Sequence, residues 1–533
     1  MKTTMKRHSF VSQLKSLALV FGVALAFASC ANEDVAQNPT NPNEDNDKNL
    51  TTFVAGDETK TRTSLDYNSS DFYWEAGDYI YVKDDNNVWR KSKNTPTAKT
   101  AFFNFKVDGD FNNSATYKVY YPGKNGTNDQ VTIPAAQTQT APNTTMHFGE
   151  SGDCGTADAT GTIGGKAFSF KLDHQAAYLV FQPYTTNKVL HDCYLTKIEV
   201  NSDNDITDTY ILDPTTGKLT GTGSGQQIVL TTKGSGAYVN GFPLTNASAS
   251  VATNGAFMII RPGTHALKIR YWLKDISTGI EGTITKAFSA RTFDKNKYYN
   301  MIANLDTRVY DGHHYYMWDA KQNYWAGHEW DSADPWQPIS DAQPLSNIPT
   351  NNTDPRWYNE SFPGPGIRYD AQTALFKSLP NPNEMSWYTM KGNPSWDEDE
   401  LWTTMGKLFK GGIWLKKKSV LQAEGNYSAE YSADGTTDMR TTYGYYINNG
   451  FSGNELPTAT NASQYFYLPA LGYNNVLSLR GINGAFWLSS AAPLHSTKAC
   501  YTLFGSGFLV VSNNAANRSS CLIAQPFRDF GDN

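Results

Sequence analysis

The chain has 533 residues and a formal net charge of −6 at neutral pH, and it carries no basic cluster suited to nucleic acid, so we expect no nucleic-acid partner. Its 31 Tyr, 27 Phe, 13 Trp and 42 Gly are typical of an exported, all-β protein. The length is sufficient for three or four domains of ordinary size.

Residues 1–30 predict a lipoprotein signal peptide. Basic residues near the start precede an apolar run at residues 17–28, which is too short to span a bilayer and typical of a secretory segment. The run ends in Phe-Ala-Ser-Cys at residues 27–30, which resembles a bacterial lipobox, so Cys30 is the expected lipidation site. The alternative is an ordinary cleaved signal peptide with an incidental cysteine.

Residues 31–50 predict a flexible tether, because they are rich in Asn, Asp, Glu and Pro and hold almost nothing to bury. The acidic pair Glu33-Asp34 resembles the signal that sends lipoproteins to the outer face of some Gram-negative bacteria. No other apolar run approaches membrane length, so we expect an outer-membrane lipoprotein at the cell surface, anchored by its lipid.

Residues 51–165 and residues 166–306 each predict a β-sandwich. Short runs of aromatic and β-branched residues, such as residues 79–82, recur between turn signals. In the second segment Phe168 and Phe170 alternate with polar residues, which is typical of a strand with one buried face. No long helical pattern precedes residue 306.

Residues 310–533 predict a third domain of a different character. Residues 313–358 are dense in Trp and Tyr, residues 384–409 hold the one candidate helix, and residues 465–527 return to short strands. We interpret the acidic run at residues 396–400 as a solvated helix start.

Cysteine usage is consistent with export. Removing Cys30 leaves four cysteines, an even number. Cys500 and Cys521 lie in strand-like runs that a hairpin-like return would bring together as a disulfide. Cys154 and Cys193 could pair or remain buried thiols, and the spacing leaves the connectivity open.

Three segments of the first half resemble the fimbrillin family, the lipoprotein pilins of Gram-negative gut and oral bacteria. They are Thr-Arg-Thr-Ser at residues 61–64 followed by Trp-Glu-Ala-Gly-Asp at residues 74–78, Phe-Ser-Phe-Lys-Leu-Asp-His at residues 168–174, and Lys-Tyr-Tyr-Asn-Met-Ile at residues 297–302. The resemblance implies two tandem transthyretin-like β-sandwich domains. Trp74 is expected in a core and Gly77-Asp78 in a turn.

The resemblance also implies a route of assembly. Fimbrillins are thought to lose an N-terminal strand by proteolysis after an arginine, and a strand from the next subunit fills the resulting groove. Arg62 matches that arginine, with Lys60 and Arg90 as alternatives. The implied partners are other fimbrillin subunits.

The C-terminal part is similar to major paralogous domains with a C-type-lectin-like, α+β fold. The matching segments are residues 315–320, 381–388, 411–414, 466–473 and 484–490. The resemblance implies an adhesion domain whose final hairpin runs from Cys500 to Phe504 against Cys521 to Phe527. Cys521 stands where such domains commonly have Gly, which fits a bond to Cys500.

No catalytic, cofactor or metal constellation stands out, so we predict that the protein is not an enzyme. His313-His314 and His328-Glu329 lack the helical spacing of a zinc site. The Asp-Ser-Ala sequence at residues 331–333 fits a bacterial O-glycosylation pattern, with Ser332 as the acceptor.

The leading hypothesis is a mainly β fimbrial subunit at the tip of a pilus or accessory to it, which binds a host or microbial surface glycan or protein. The ligand-binding residues are unknown. The alternatives are a lipid-anchored glycan-binding protein, in which exposed aromatic residues of 313–358 stack on sugars, and a fimbrial anchor that retains its lipid.

Overall fold

The computed structural model describes residues 49–55, 64–66, 71–213, 215–338, 348–473 and 479–532. Strands dominate this part of the chain, and the helices are short. They are α1 (Val251–Asn254), α2 (Ala374–Lys377), α3 (Pro382–Lys391) and α4 (Lys418–Ala423). Within the described ranges, none is long and apolar enough to cross a membrane.

The first twelve strands run to residue 174. They are β1 (Leu50–Ala55), β2 (Ser64–Asp66), β3 (Asp71–Tyr73), β4 (Tyr81–Lys83), β5 (Trp89–Lys91), β6 (Phe103–Asp108), β7 (Thr116–Tyr121), β8 (Gln130–Ile133), β9 (Ala136–Gln139), β10 (Gly155–Gly161), β11 (Ala167–Phe170) and β12 (Asp173–His174). Eight of them form one sheet in the order β5-β4-β7-β10-β11-β1-β6, with β12 beside β10. β2 and β3 pair with each other.

This sheet closes on itself. A bridge joins Ser92, just after β5, to Val107 on β6, and the amide of Lys93 donates to the carbonyl of Lys106 at 2.7 Å. The predicted N-terminal sandwich is therefore a single curled sheet, called here the first barrel. One aromatic core fills it, to which β1, β4, β6, β7, β10 and β11 contribute side chains.

The next ten strands form a sandwich around the largest apolar core. They are β13 (Ala177–Tyr184), β14 (Cys193–Ser202), β15 (Asp208–Leu212), β16 (Leu219–Thr220), β17 (Gln227–Thr232), β18 (Phe242–Pro243), β19 (Ala256–Ile260), β20 (Gly263–Asp275), β21 (Glu281–Phe293) and β22 (Lys297–Asn304). β19-β13-β22 form one sheet, and β21-β20-β14-β17 belong to a second. We call this unit the middle sandwich.

The first barrel and the middle sandwich exchange chain segments. β11 and β12 complete the first barrel, whereas β8 and β9 pair with β15 and β17. The predicted boundary between residues 165 and 166 therefore does not coincide with a division between sheets. Local alternation marks a strand but not its distant pairing partner, so sequence pattern could not place these four strands.

The C-terminal region, residues 307–532, contains the last ten strands and three helices. The strands are β23 (Arg308–Tyr310), β24 (Tyr315–Tyr316), β25 (Ser395–Thr404), β26 (Lys407–Lys416), β27 (Tyr445–Asn449), β28 (Tyr465–Pro469), β29 (Gly484–Ala491), β30 (Lys498–Gly505), β31 (Phe508–Asn517) and β32 (Leu522–Ile523). Six form a sheet in the order β24-β32-β29-β30-β31-β27.

The candidate helix at residues 384–409 is only partly helical. α3 begins at an Asn381 cap, with Glu384 completing a capping box and Pro382 at the first position. It ends at Lys391, and residues 395–404 form β25. The interpretation of residues 396–400 as a helix start is wrong, because these residues lie within β25, where Asp397 pairs with Arg270 of the middle sandwich.

Buried charges join the middle sandwich to the C-terminal region. Arg270 Nη2 on β20 lies 3.0 Å from Asp397 Oδ1 on β25. Glu400 is buried and accepts from the Thr285 hydroxyl at 2.7 Å, with Arg308 at 3.3 Å. Burial raises the pKa of Glu400. β21 and β25 pair in parallel at this point, so one ten-stranded sheet continues through both units.

Replacing Asp397 by Ala is expected to lower the free energy of unfolding by about 3–5 kcal/mol. The substitution leaves the buried Arg270 guanidinium without its nearest carboxylate partner. Asp399→Ala is the control, since that carboxylate lies 3.8 Å from Arg270 and is more exposed, and it should cost about 1 kcal/mol or less. Urea unfolding followed by tryptophan fluorescence measures both. Equal effects would contradict the assignment of the Asp397 pair as the interface contact.

Asp306 ties the end of the middle sandwich to the loop after β13. Its carboxylate accepts from the Thr185 hydroxyl at 2.7 Å and from the amide and hydroxyl of Thr186 at 2.6 and 2.8 Å. Partial burial opposes ionisation, but these bonds and one from Asn304 outweigh it, so the pKa of Asp306 lies below its usual value.

Asp306→Asn should therefore lower the free energy of unfolding by about 1–3 kcal/mol at neutral pH. A depressed pKa stabilises the fold above the unfolded-state value of about 4, and this stabilisation is lost as pH falls through the lower folded-state pKa. The difference in the free energy of unfolding between wild type and Asp306→Asn, measured by urea titration, should shrink below about pH 4. Asp294→Asn, at an exposed site, is the control. If the stability difference between wild type and Asp306→Asn persisted in acid, the Asp306 charge would not be its cause.

Candidate assembly groove

The slot that β1 fills in the first barrel is the candidate functional site. β1 pairs in parallel with β11 and antiparallel with β6. Phe53 lies opposite Phe168 on one side and Phe105 on the other. Because both edges of β1 are bonded, it is an interior strand of the sheet although it is the first strand of the described chain.

The side chains of β1 alternate between core and surface. Three are buried (Thr51, Phe53 and Ala55), and three are half-exposed (Leu50, Thr52 and Val54). The Phe53 ring lies 5.1 Å from Phe111 in an edge-to-face contact and 5.5 Å from Phe168 in a stacked one. Phe53 is thus the apolar anchor of the strand, and such aromatic pairs add to the stabilisation from burial.

The predicted cleavage site separates β1 from the rest of the barrel. Residues 56–63, which contain Arg62 and Lys60, lie outside the described residues, as does Cys30. In sequence, Arg62 falls between the last residue of β1, Ala55, and the first residue of β2, Ser64. Cleavage after Arg62 would therefore release β1 and leave β2 onward in the mature chain.

Removal of β1 would open an apolar groove with two bare strand edges. β6 and β11 would each lose a ladder of backbone hydrogen bonds, and the buried side chains of Phe105, Phe168 and Phe111 would lose Phe53. Unpaired backbone groups and exposed aromatic core are both unfavourable. The groove would accept another extended strand that carries an apolar side chain at the Phe53 position.

The fold markers of the sequence lie where they are expected. Trp74 is fully buried, and its ring lies 4.9 Å from Phe105. Gly77 has φ +83°, a conformation that favours glycine. Asp78 accepts from the Glu75 amide at 2.7 Å and the Tyr121 hydroxyl at 3.0 Å. Both predictions, a core tryptophan and a Gly-Asp turn, are confirmed.

His174 is a core residue. Its Nδ1 lies 3.0 Å from Asp153 Oδ1, which also accepts from the Tyr178 hydroxyl at 2.6 Å. Burial and the Asp153 charge raise the pKa of Tyr178 well above its ordinary value. The group anchors β12 and β13 to the loop before β10, and no cleft opens onto these buried atoms.

The predicted disulfide between Cys500 and Cys521 is not formed. Both are buried free thiols, as are Cys154 and Cys193. Cys500 lies on β30 and Cys521 precedes β32, and β29 lies between those two strands. Two strand spacings amount to about 9.5 Å, which exceeds the usual Cα separation of a disulfide. The final hairpin joins β30 to β31, so the predicted pairing with Cys521 to Phe527 is also wrong.

The remaining chemical candidates have local partners. His313 Nε2 lies 3.0 Å from Asp331, and the His328 ring stacks on Trp336. Among the described residues, no group of three or more His, Cys, Asp or Glu side chains is placed to hold a metal ion. Ser332 lies in a turn, and its hydroxyl oxygen is buried, so glycosylation there would require the turn to open.

The tryptophans of residues 313–358 divide into two groups. Trp318 and Trp325 are buried in the C-terminal region, whereas Trp330, Trp336 and Trp357 are only partly buried. The Trp318 indole nitrogen donates to the Leu488 carbonyl at 3.0 Å. Only the second group could contact a ligand without unfolding, a distinction that the sequence does not make.

Comparisons with known proteins do not assign the chain to a family. No protein-family model matches it, and no curated protein matches it. Solved structures similar to about half of the chain include a candidate cell adhesion protein of Bacteroides ovatus, with 13% identity, 48% of this chain and 91% of that chain covered, and a TM-score of 0.32.

Two further structures match a similar share of the chain. A fimbrial protein of Bacteroides ovatus has 12% identity, coverage of 50% and 52%, and a TM-score of 0.24. The fimbrial anchor protein Mfa2 of Porphyromonas gingivalis has 10% identity, coverage of 44% and 82%, and a TM-score of 0.21. All three TM-scores are below 0.5 and all three identities are below 25%.

Proposed function

We propose that the protein is a cell-surface fimbrial subunit whose β1 is removed after Arg62 and replaced by a strand from a neighbouring subunit. The observation that supports this most strongly is the position of β1. It fills an interior slot of the first barrel, yet it lies on the N-terminal side of the arginine that matches the fimbrillin cleavage motif. Lipidation at Cys30 would hold the precursor at the outer membrane until that cleavage.

The driving force for assembly is strand addition. An incoming strand would restore the backbone ladders to β6 and β11, and its apolar side chains would occupy the positions of Phe53 and Ala55. Because the empty groove exposes apolar surface to water, which is unfavourable, the cleaved subunit would be more stable when a partner's strand occupies the groove. No cofactor, metal or catalytic step is part of this proposal.

The C-terminal region supports a tip or accessory position. β31 and β32 lie inside the six-stranded sheet, and Phe527 and Phe530 are buried in its core. These segments are not free to be donated to another subunit. The chain would thus accept a strand and present its C-terminal region to a glycan or protein on a host or microbial surface.

Immunogold labelling of purified fimbriae tests the position. We expect label against the C-terminal region at fibre ends or at rare sites. Regular label along the shaft would contradict a tip or accessory role. The second candidate function is a lipid-retaining anchor or a glycan-binding protein, for which the half-exposed Trp357 is suited. Label confined to the cell envelope, on chains that retain the Cys30 lipid, would favour this candidate.

A further inference from the structure

A polar cleft of about 620 Å³ lies in the C-terminal region, outside the assembly groove. Its lining includes Asp319, Asn352, Trp357, Tyr358, Glu360 and Ser361. Its volume is within the range of sites for small ligands. No residue of β1, β6 or β11 contributes to it, so it is separate from the site of subunit assembly.

A dense set of hydrogen bonds holds the cleft in shape. Asp319 accepts from the Gln372 amide at 2.8 Å, from the amide and hydroxyl of Thr373 at 2.9 and 2.7 Å, and from Asn359 Nδ2 at 2.9 Å. These four bonds connect three separate stretches of chain. The Pro355 carbonyl adds a further link, since it accepts from the Lys321 amide at 3.0 Å.

A buried arginine supports the same loop from behind. Arg518 is fully buried, and its Nη1 donates to the carbonyls of Asn359 and Ser361 at 2.9 and 2.8 Å. Its guanidinium also lies 4.8 Å from the centre of the Trp318 ring. Because the loop is fixed before any ligand arrives, binding would cost little conformational entropy.

The cleft combines an aromatic pair with polar groups that the fold does not use. The rings of Trp357 and Tyr358 lie 4.4 Å apart and are only partly buried. The side chains of Asn352 and Ser361 are exposed and form no hydrogen bond with any other described residue. Glu360 is exposed, and its Oε1 accepts from the Trp357 indole at 2.5 Å.

We propose that this cleft binds a neutral saccharide. The aromatic pair provides apolar area against which the C–H face of a sugar ring can pack, and the amide, hydroxyl and carboxylate groups match hydroxyls that both donate and accept. Asp354 is paired with Arg356 at 2.7 Å, but Asp319 and Glu360 still outnumber Lys321 in the lining, which disfavours an anionic sugar. The biological setting as an adhesion site rests on the proposed function, but the binding chemistry does not.

Saccharide binding by the purified full-length protein tests this. The probes are lactose, cellobiose, maltose, mannobiose and diacetylchitobiose, with sialyllactose as the anionic comparator, and the readouts are saturation-transfer NMR and tryptophan emission. We expect saturable binding of at least one neutral probe in preference to sialyllactose. Trp357→Ala should weaken it by about tenfold or more, as expected when an aromatic anchor is removed.

Two variants separate binding from folding. Asn352→Ala alters an exposed side chain without a described partner and should weaken binding several-fold with unchanged thermal unfolding. Trp387→Ala removes another half-buried tryptophan of the same region, outside the cleft, and should leave affinity unchanged. Absence of binding by every neutral probe, preference for sialyllactose, or insensitivity to both Trp357→Ala and Asn352→Ala would overturn the proposal.

This outcome is independent of fibre assembly. Saccharide binding by a monomer that never enters fimbriae would support the cleft and contradict the fimbrial role. Fibres that form normally from a protein that binds no saccharide would do the reverse.

Discussion

Arg62→Ala is expected to abolish incorporation of the protein into fimbriae. Without cleavage, β1 stays in its slot between β6 and β11, so no incoming strand can pair with those edges. The variant should accumulate as a folded, lipid-bound monomer, because Arg62 lies outside the described barrel strands. Immunoblotting of detergent-resistant polymers from cells measures the loss.

Lys60→Ala is the matched control. It removes a positive charge from the same segment, residues 56–63, and should leave incorporation unchanged. The other alternative, Arg90, is poorly placed for a protease. It lies on β5, paired to β4, and its Nε donates to Asp84 at 2.8 Å. Normal polymer entry by Arg62→Ala, with loss in Lys60→Ala, would move the cleavage site to Lys60.

Phe53→Ala is expected to destabilise the uncleaved precursor by about 3–5 kcal/mol, the usual cost of removing a buried Phe side chain. Phe53 is fully buried, and its ring contacts Phe111 and Phe168. Val54→Ala is the control, because Val54 faces outward and is half-exposed, and it should cost about 1 kcal/mol or less. Denaturant unfolding of the two purified precursors gives the difference.

The same substitution distinguishes strand exchange from a static barrel. If β1 leaves on maturation, Phe53 is absent from the assembled subunit, so Phe53→Ala fibres should be as heat-resistant as wild type. Fibres weakened to the same extent as the precursor would show that β1 remains in place.

Local patterns predicted the parts of this protein that local chemistry determines. Trp74 and Gly77-Asp78 occupy the core and turn that their residue types favour. The Cys500–Cys521 prediction failed because β29 separates their strands, a pairing set by residues distant in sequence. Residues 397–400 are all acidic and suggest a solvated segment, but Arg270 on β20, distant in sequence, pairs with Asp397 within the shared sheet.

The sequence predicted one part of the assembly site, the cleavage arginine, but not the groove itself. The fimbrillin-like motif indicated Arg62, but the position of β1 between β6 and β11 depends on long-range pairing. The saccharide cleft gave no sequence signal beyond its aromatic density, because Asp319, Asn359 and Thr373 meet only in the folded chain.

N-terminal sequencing of the protein extracted from fimbriae tests strand removal most directly. We predict that the fibre-bound chains begin at Thr63 and contain no peptide from residues 50–55, while the membrane-bound precursor still carries β1. Fibre-bound chains that begin at a lipidated Cys30 and retain residues 50–55 would contradict the account, and would identify the protein as a lipid-retaining anchor or glycan-binding protein.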